Sequence, residues 1–161
     1  MYGFPLTLYV LTGTLGIEVP WVHVSGHLWA SLLGYGLPGA MLEMALGYGL
    51  VFLGISLLAR GWYEVHRASR AGRLATTGLY GAVRHPQYTG ILLAIFGQLV
   101  HWPTIPTLLL APLIGWAYIR LARREEARLS ERFGETYRAY RRVVPAFLPR
   151  ATGWRRFLNV G

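Results

Sequence analysis

The sequence predicts an all-α fold set in a membrane, and three observations carry that prediction. Of the 161 residues, 53% are apolar and only 14% charged, whereas a soluble domain of this size carries about a quarter charged residues. The apolar residues gather into runs of the length that crosses, or nearly crosses, a bilayer. The cations fall between and after these runs: 16 Arg face 7 Glu with no Lys or Asp, the net charge is +9, and every Arg lies after residue 59. The expected architecture is an integral membrane helical bundle of about four transmembrane helices, or five if residues 22–38 also cross. A C-terminal cytosolic amphipathic helix closes it.

Each element has its own signal. Phe4 to about Trp21 is apolar, with Glu18 near its end and no basic stretch before it, so it reads as a helix rather than a cleaved leader. His23 to Gly39 is mixed, rich in Gly and Trp, and closes on Pro38-Gly39. Met41 to Ala59 is a second apolar run, and Arg60 to Arg84 is polar and basic. Tyr88–Trp102 and Ile105–Ile119 are apolar arms separated by Trp102-Pro103-Thr104-Ile105-Pro106; proline removes a backbone donor and suits a tight interhelical turn. Each arm is short for a full span, so both helices are expected to run on beyond the hydrocarbon. Arg120 to Arg142 is a charged helix ended by Val143-Val144-Pro145. The chain is read as one domain: residues 1–59 as N-terminal transmembrane helices, 60–149 as a core, and 150–161 as a basic tail.

Arginine placement sets topology. Residues 60–87 carry five Arg and residues 120–142 carry eight. Both belong on the cytoplasmic side, so the apolar segment between them returns as a hairpin. The same pattern argues for contact with anionic lipid headgroups and against a nucleic-acid partner, whose binding face would be soluble. The chain is placed in the plasma (inner) membrane as a multi-pass protein with its polar clusters facing the cytoplasm. The absence of Cys excludes disulfides and thiolate chemistry. His23, His27 and His101 share no metal-ligand spacing, and no metal site is expected. Glu18 and Glu43 read as interfacial carboxylates.

On a continuous wheel at about 100° per residue, Tyr118, Ala122, Leu129, Phe133, Thr136 and Tyr140 share an apolar face of the last helix. Glu125 falls close to its centre and Glu126 at its border. A carboxylate on a buried face needs a positive or hydrogen-bonding partner. Either an arginine such as Arg84 or a cationic ligand would serve Glu125. Arg84-His85-Pro86 opens an apolar helix, with Pro86 suited to the first helical position and His85 to the cap. A helix start with free amides accepts an anion such as a carboxylate.

Taken together, Thr77-Gly78-Leu79-Tyr80, Arg84-His85-Pro86-Gln87-Tyr88-Thr89-Gly90, Glu125-Glu126, Leu129, Phe133-Gly134-Glu135-Thr136-Tyr137, Tyr140 and Val144-Pro145-Ala146-Phe147-Leu148-Pro149 resemble the membrane-embedded isoprenylcysteine carboxyl methyltransferase family, in its small bacterial-type members. The resemblance covers about residues 60–149. It implies S-adenosylmethionine as methyl donor and methyl transfer to a lipid-like carboxylate or amine. Carried over by position, the cofactor contacts are Arg73, Leu74, Ala75, Tyr80, His85, Pro86, Gln87, Tyr88 and Glu125. The expected catalytic set is Glu126, His85 and Arg84, with Glu126 or His85 as base if the acceptor is an amine. In that family an arginine four residues before the cofactor glutamate holds the acceptor carboxylate; Leu121 stands there in this chain, and Arg120 and Arg124 are the neighbouring substrate candidates. The acceptor is expected to arrive sideways from the bilayer, between the 41–59 helix and the hairpin, past Gly54 and Gly97.

Two other classes compete. Sterol-reductase-like membrane enzymes resemble the C-terminal pattern and use NADPH, but usually carry Asp-Glu in place of Glu125-Glu126 and Asn in place of Gln87. A non-enzymatic membrane assembly protein would need no cofactor and no Glu125 on an apolar face.

Overall fold

A computed structural model of the protein describes residue 34 and residues 36–103 and 105–150. The expected helix over 4–21, the 22–33 part of the segment that follows it, and the 151–161 part of the tail lie outside the described residues. Three helices make up the described fold: α1 (Gly36–Arg70), α2 (Pro86–His101) and α3 (Ile105–Val143), with one 3-10 turn at Gly78–Gly81. No strand occurs among the described residues, so the all-helical expectation holds.

The chain forms two compact units. The first holds residues up to Phe52 with Leu93–Ile114, and the second holds Leu53–Leu92 with Gly115 onward.

Leu37–Arg70 is long and apolar enough to cross a membrane, with a mean hydropathy of 1.8 over its most apolar stretch. Many of its large side chains are exposed, including Leu37, Met41, Phe52 and Ile55, an apolar surface that water would penalise. The helix ends in a Schellman motif. Gly72 adopts a left-handed φ of 64°, its amide donates to the Ser69 carbonyl, and the Arg73 amide reaches back to Ala68 at 3.0 Å. Arg67 and Arg70 in the last turn complement the helix dipole.

Glycine sets how closely α2 approaches α1. In the first unit, a Cβ on Gly97 would lie 2.7 Å from the Gly47 carbonyl oxygen. In the second, a Cβ on Gly90 would lie 2.5 Å from the Gly54 oxygen. Small residues allow backbones to meet in this way. Gly54 and Gly97, named in the sequence as flanking a sideways route, each stand at a close helix contact.

As expected, α2 begins at Pro86. His85 supplies the cap through its carbonyl, which accepts the Thr89 amide at 2.9 Å and the Thr89 hydroxyl at 3.1 Å. Its imidazole is left for other work.

The expected apolar arm at 105–119 and charged helix at 120–142 form one element, α3, but not an unbroken one. Gly134 has φ 55° and ψ −127°, a left-handed conformation suited to glycine. The helical phase is lost there, so residues 135–143 do not continue the faces of 105–133.

Candidate active site

All the geometry that follows belongs to the second unit. Its centre is Glu126. One carboxylate oxygen, Oε1, accepts from Arg84 Nε at 2.9 Å, from Arg84 Nη2 at 2.8 Å, and lies 3.1 Å from His85 Nε2. The other oxygen lies 3.3 Å from Arg141 Nε. The Arg84 and Glu126 side chains are only 11% and 10% exposed. Charge-assisted bonds of this kind offset the cost of burying the carboxylate.

Arg84 also ties the loop to the end of the chain. Its Nη1 donates to the carbonyls of Arg141 and Val144. Its backbone amide donates to the Pro145 carbonyl at 2.8 Å, and that of His85 to Ala146 at 3.0 Å. Thr89 Oγ1 donates to the Phe147 carbonyl and Tyr140 Oη to the Tyr80 carbonyl. On the other side, the Glu64 carboxylate accepts the Leu79 amide at 2.9 Å. Gly78, with φ 62°, makes room for it: a Cβ there would be 2.5 Å from a Glu64 oxygen.

Glu125 has a different environment. Its side chain is 44% exposed. Oε1 accepts the Tyr88 hydroxyl at 2.7 Å, and Oε2 lies 3.8 Å from His85 Nδ1, too far for a hydrogen bond. The continuous wheel placed Glu125 nearer than Glu126 to the centre of the buried face; the structure reverses that order. Thr136 and Tyr140 do not belong to the helical phase of 105–133, because Gly134 intervenes. In the structure the buried stripe of 105–133 runs through Ala122 and Glu126, four residues apart. Accordingly, Arg84 pairs with Glu126 and not with Glu125.

Burial pushes the His85 imidazole below its ordinary pKa, with Glu126 pulling only partly the other way. It is therefore neutral at neutral pH. For Glu126, burial alone would raise the pKa, but hydrogen bonds and charge from His85 and Arg84 outweigh it and hold the carboxyl below the ordinary range. A neutral His85 that gives its Nε2 proton to Glu126 keeps a lone pair at Nδ1. Nδ1 and Glu125 Oε2 are then two adjacent acceptors, and any donor between them satisfies both.

Two adjoining cavities gather the residues singled out in the sequence. One, of about 330 Å³, is lined by Tyr80, Arg84, His85, Gln87, Tyr88 and Glu125, together with Trp62, His66 and Arg128. The other, of about 130 Å³, is lined by Arg73, Leu74, Ala75, Tyr80, Arg84, Tyr137 and Tyr140. They share Tyr80, Arg84, Val65 and Leu129. The Gln87 amide nitrogen is buried without a hydrogen-bond partner among the described residues, a donor in want of an acceptor. The acceptor pair, this donor and the nearby arginines suit a zwitterion that carries an ammonium and a carboxylate. Pro86 is fully buried and lines neither cavity. Glu126 is shut behind Arg84 and His85. Arg120 sits over the Trp116 ring at 5.2 Å, and neither it nor Arg124 lines these cavities.

Sequence reasoning missed Glu64, Arg128, Arg141 and the stacked pair Trp62–His66, whose ring centroids are 5.1 Å apart. Arg128 had a signal, since it lies three residues beyond Glu125 and so on the same helix face. Glu64 also had one, as the sole carboxylate among the arginines of 60–84. No group of residues that could hold a metal ion occurs among the described residues.

The described helices thus place a buried Arg-His-Glu cluster beside a cavity of about 330 Å³. The chain belongs to the phospholipid methyltransferase family, whose model matches residues 37–136. Over 77 residues it is also 35% identical to the protein-S-isoprenylcysteine O-methyltransferase of Schizosaccharomyces pombe. That match takes in 47% of this chain and 33% of the yeast protein, so the chain spans about a third of the length of that relative. No solved structure matches. The likeness to the isoprenylcysteine methyltransferases drawn from the motifs is thus supported from outside them.

Proposed function

We propose that the protein is an S-adenosylmethionine-dependent methyltransferase acting on a lipid or lipid-like acceptor at the cytoplasmic face of the plasma (inner) membrane, which it crosses several times. The observation that carries this reading is the pair of acceptors, Glu125 Oε2 and His85 Nδ1, 3.8 Å apart in a cavity that also holds the unpartnered Gln87 amide. An amino-acid ammonium bridges such a pair, and a carboxylate suits Gln87 with the arginines beside it. Arg73, Leu74, Ala75, Tyr80 and Tyr88 wall the same space. Pro86 acts by fixing the start of α2. The family membership and the relative's name support the same chemistry.

When bound, S-adenosylmethionine supplies an electrophilic methyl group on a sulfonium, displaced in line by the acceptor. What falls to this chain is positioning and exclusion of water. Arg84 and Glu126 form a fixed support that presents His85 in one tautomer. An acceptor carboxylate needs no base. An acceptor amine that reached His85 Nδ1 would lose its proton there, with Glu125 alone then holding the cofactor ammonium; Glu126, already ionised and fully hydrogen-bonded, serves as a positioning group. Arg128 is the arginine best placed to hold an acceptor's anionic group, ahead of Arg120 and Arg124.

The test is calorimetric binding of S-adenosylhomocysteine to detergent-purified protein and to a Glu125→Gln variant. Micromolar affinity lost in the variant is the expected result. Equal affinity in the two removes Glu125 from the cofactor site. Absence of binding by folded wild-type protein overturns the reading, and NADPH becomes the ligand to try.

A further inference from the structure

The second unit also holds a cavity larger than the one beside Glu125. It measures about 650 Å³ and is lined by Arg60, Tyr63, Glu64, Arg67, Arg73 and Thr77, among others. At about 100° per residue, Arg60, Glu64 and Arg67 fall on one stripe of α1. Trp62, Val65 and His66, which line the Glu125 cavity, fall on the opposite stripe. The two spaces therefore open on opposite stripes of α1, and Arg73 lines both the larger cavity and the 130 Å³ cavity that adjoins the Glu125 one.

The lining carries three guanidinium groups and one carboxylate, and of the three Arg60 is already engaged. The carboxylate is already engaged, because Glu64 accepts the Leu79 amide. Arg67 and Arg73 have no ion-pair partner among the described residues. Like charges gathered around one concavity repel until an anion enters. Guanidinium forks with a neighbouring hydroxyl, here that of Thr77, match the tetrahedral oxygens of a phosphate. The cavity also lies at the basic end of the membrane-capable helix, and the exposed ring of Tyr63 lines it. Aromatic rings and arginines of this kind mark headgroup depth.

We propose that this cavity is a second site, neighbouring the methyl-transfer cavity and sharing Arg73 with its smaller annex, which binds the phosphate of an anionic phospholipid headgroup. The positive balance selects a headgroup with net negative charge over a zwitterionic one. The site stands whether or not the protein transfers methyl groups.

Detergent-solubilised full-length protein is titrated calorimetrically with short-chain phosphatidylglycerol, short-chain phosphatidylcholine and inorganic phosphate. The same titrations are run on Arg67→Gln and on Arg123→Gln, a charge-matched control at an exposed position that lines no cavity described here. Saturable phosphatidylglycerol binding, weakened at least fivefold in Arg67→Gln and unchanged in Arg123→Gln, is the expected result. Unaltered circular dichroism and S-adenosylhomocysteine binding in Arg67→Gln would show the fold and the other cavity to be intact. Equal weakening in both variants would mean diffuse charge attraction and overturn the proposal. Inorganic phosphate binding as tightly as phosphatidylglycerol, or phosphatidylcholine doing so, would overturn the anionic-lipid assignment.

Discussion

Glu125 and Glu126 are neighbours in sequence, yet they meet different surroundings. Glu126 is enclosed by Arg84, His85 and Arg141, while Glu125 is 44% exposed and held by the Tyr88 hydroxyl alone at hydrogen-bond distance. One step along a helix turns a side chain by about 100°. Here that step separates a carboxylate bound into the fold from one left open to a cavity.

Glu126→Gln should therefore destabilise the protein, by about 3 kcal/mol, because it leaves the Arg84 guanidinium buried without its counter-charge. Glu125→Gln should cost well under 1 kcal/mol, as expected for a half-exposed group away from a buried pair. Thermal unfolding of both variants in the same detergent measures the difference. Equal losses would contradict the division of roles.

Stability should fall on the acid side in two stages. His85 is depressed in the folded state, so the unfolded chain takes up its proton first and stability declines as pH drops below about 6.5. Glu126 is depressed as well; its contribution is complete above its unfolded value of about 4.5 and is lost as pH falls through its folded value. His85→Gln should remove the first stage and weaken the second, since His85 is one of the groups that hold Glu126 low. Melting temperature against pH, from 3 to 8, reads both.

Gly78→Ala should destabilise by about 1–2 kcal/mol from its positive φ alone. Its Cβ also meets the Glu64 carboxylate at 2.5 Å. In a Glu64→Ala background only the backbone cost remains, so Gly78→Ala should cost less there. A double-mutant cycle of denaturant midpoints tests that coupling.

Gly90→Val should part α1 from α2, since a Cβ at Gly90 meets the Gly54 oxygen and the Leu58 nitrogen, both backbone atoms. A loss of about 1–3 kcal/mol is expected for overpacking at a rigid contact. Gly49, whose Cβ would meet nothing, is the control, and Gly49→Val should cost less than half as much.

Arg128→Gln should raise the KM for an anionic lipid acceptor severalfold and leave S-adenosylhomocysteine affinity unchanged, while Arg120→Gln alters neither. Radiolabelled methyl transfer into a lipid extract supplies the measurement.

The features legible in the sequence were those with local causes. Pro86 started a helix because its ring fixes φ and lacks a donor that position does not need. Trp102–Pro106 marked a connection for similar reasons. The meeting of the Arg84-His85 loop with the Glu125-Glu126 pair followed from residue types that cannot be buried alone. Phase was less accessible. Gly134 interrupts a run whose composition reads as one helix, and only its backbone angles reveal the break; Glu125 and Glu126 flank the apolar face almost symmetrically on the wheel, so the pattern alone did not decide which of them the fold buries. The contact of Glu64 with the Leu79 amide was hidden for another reason. It depends on backbone geometry brought together across the Gly72 and Gly78 turns, which no side-chain pattern records.

The stretch from Val144 to Phe147 is attached to the rest of the second unit largely through its own carbonyls, which accept from Arg84, His85 and Thr89. An acceptor carbonyl is the same in every amino acid, and proline, which has no amide hydrogen, offers it as well as any other. This segment can thus drift in side-chain identity over evolutionary time and remain fastened, whereas cutting it away would take an acceptor from four donor groups on three residues at once.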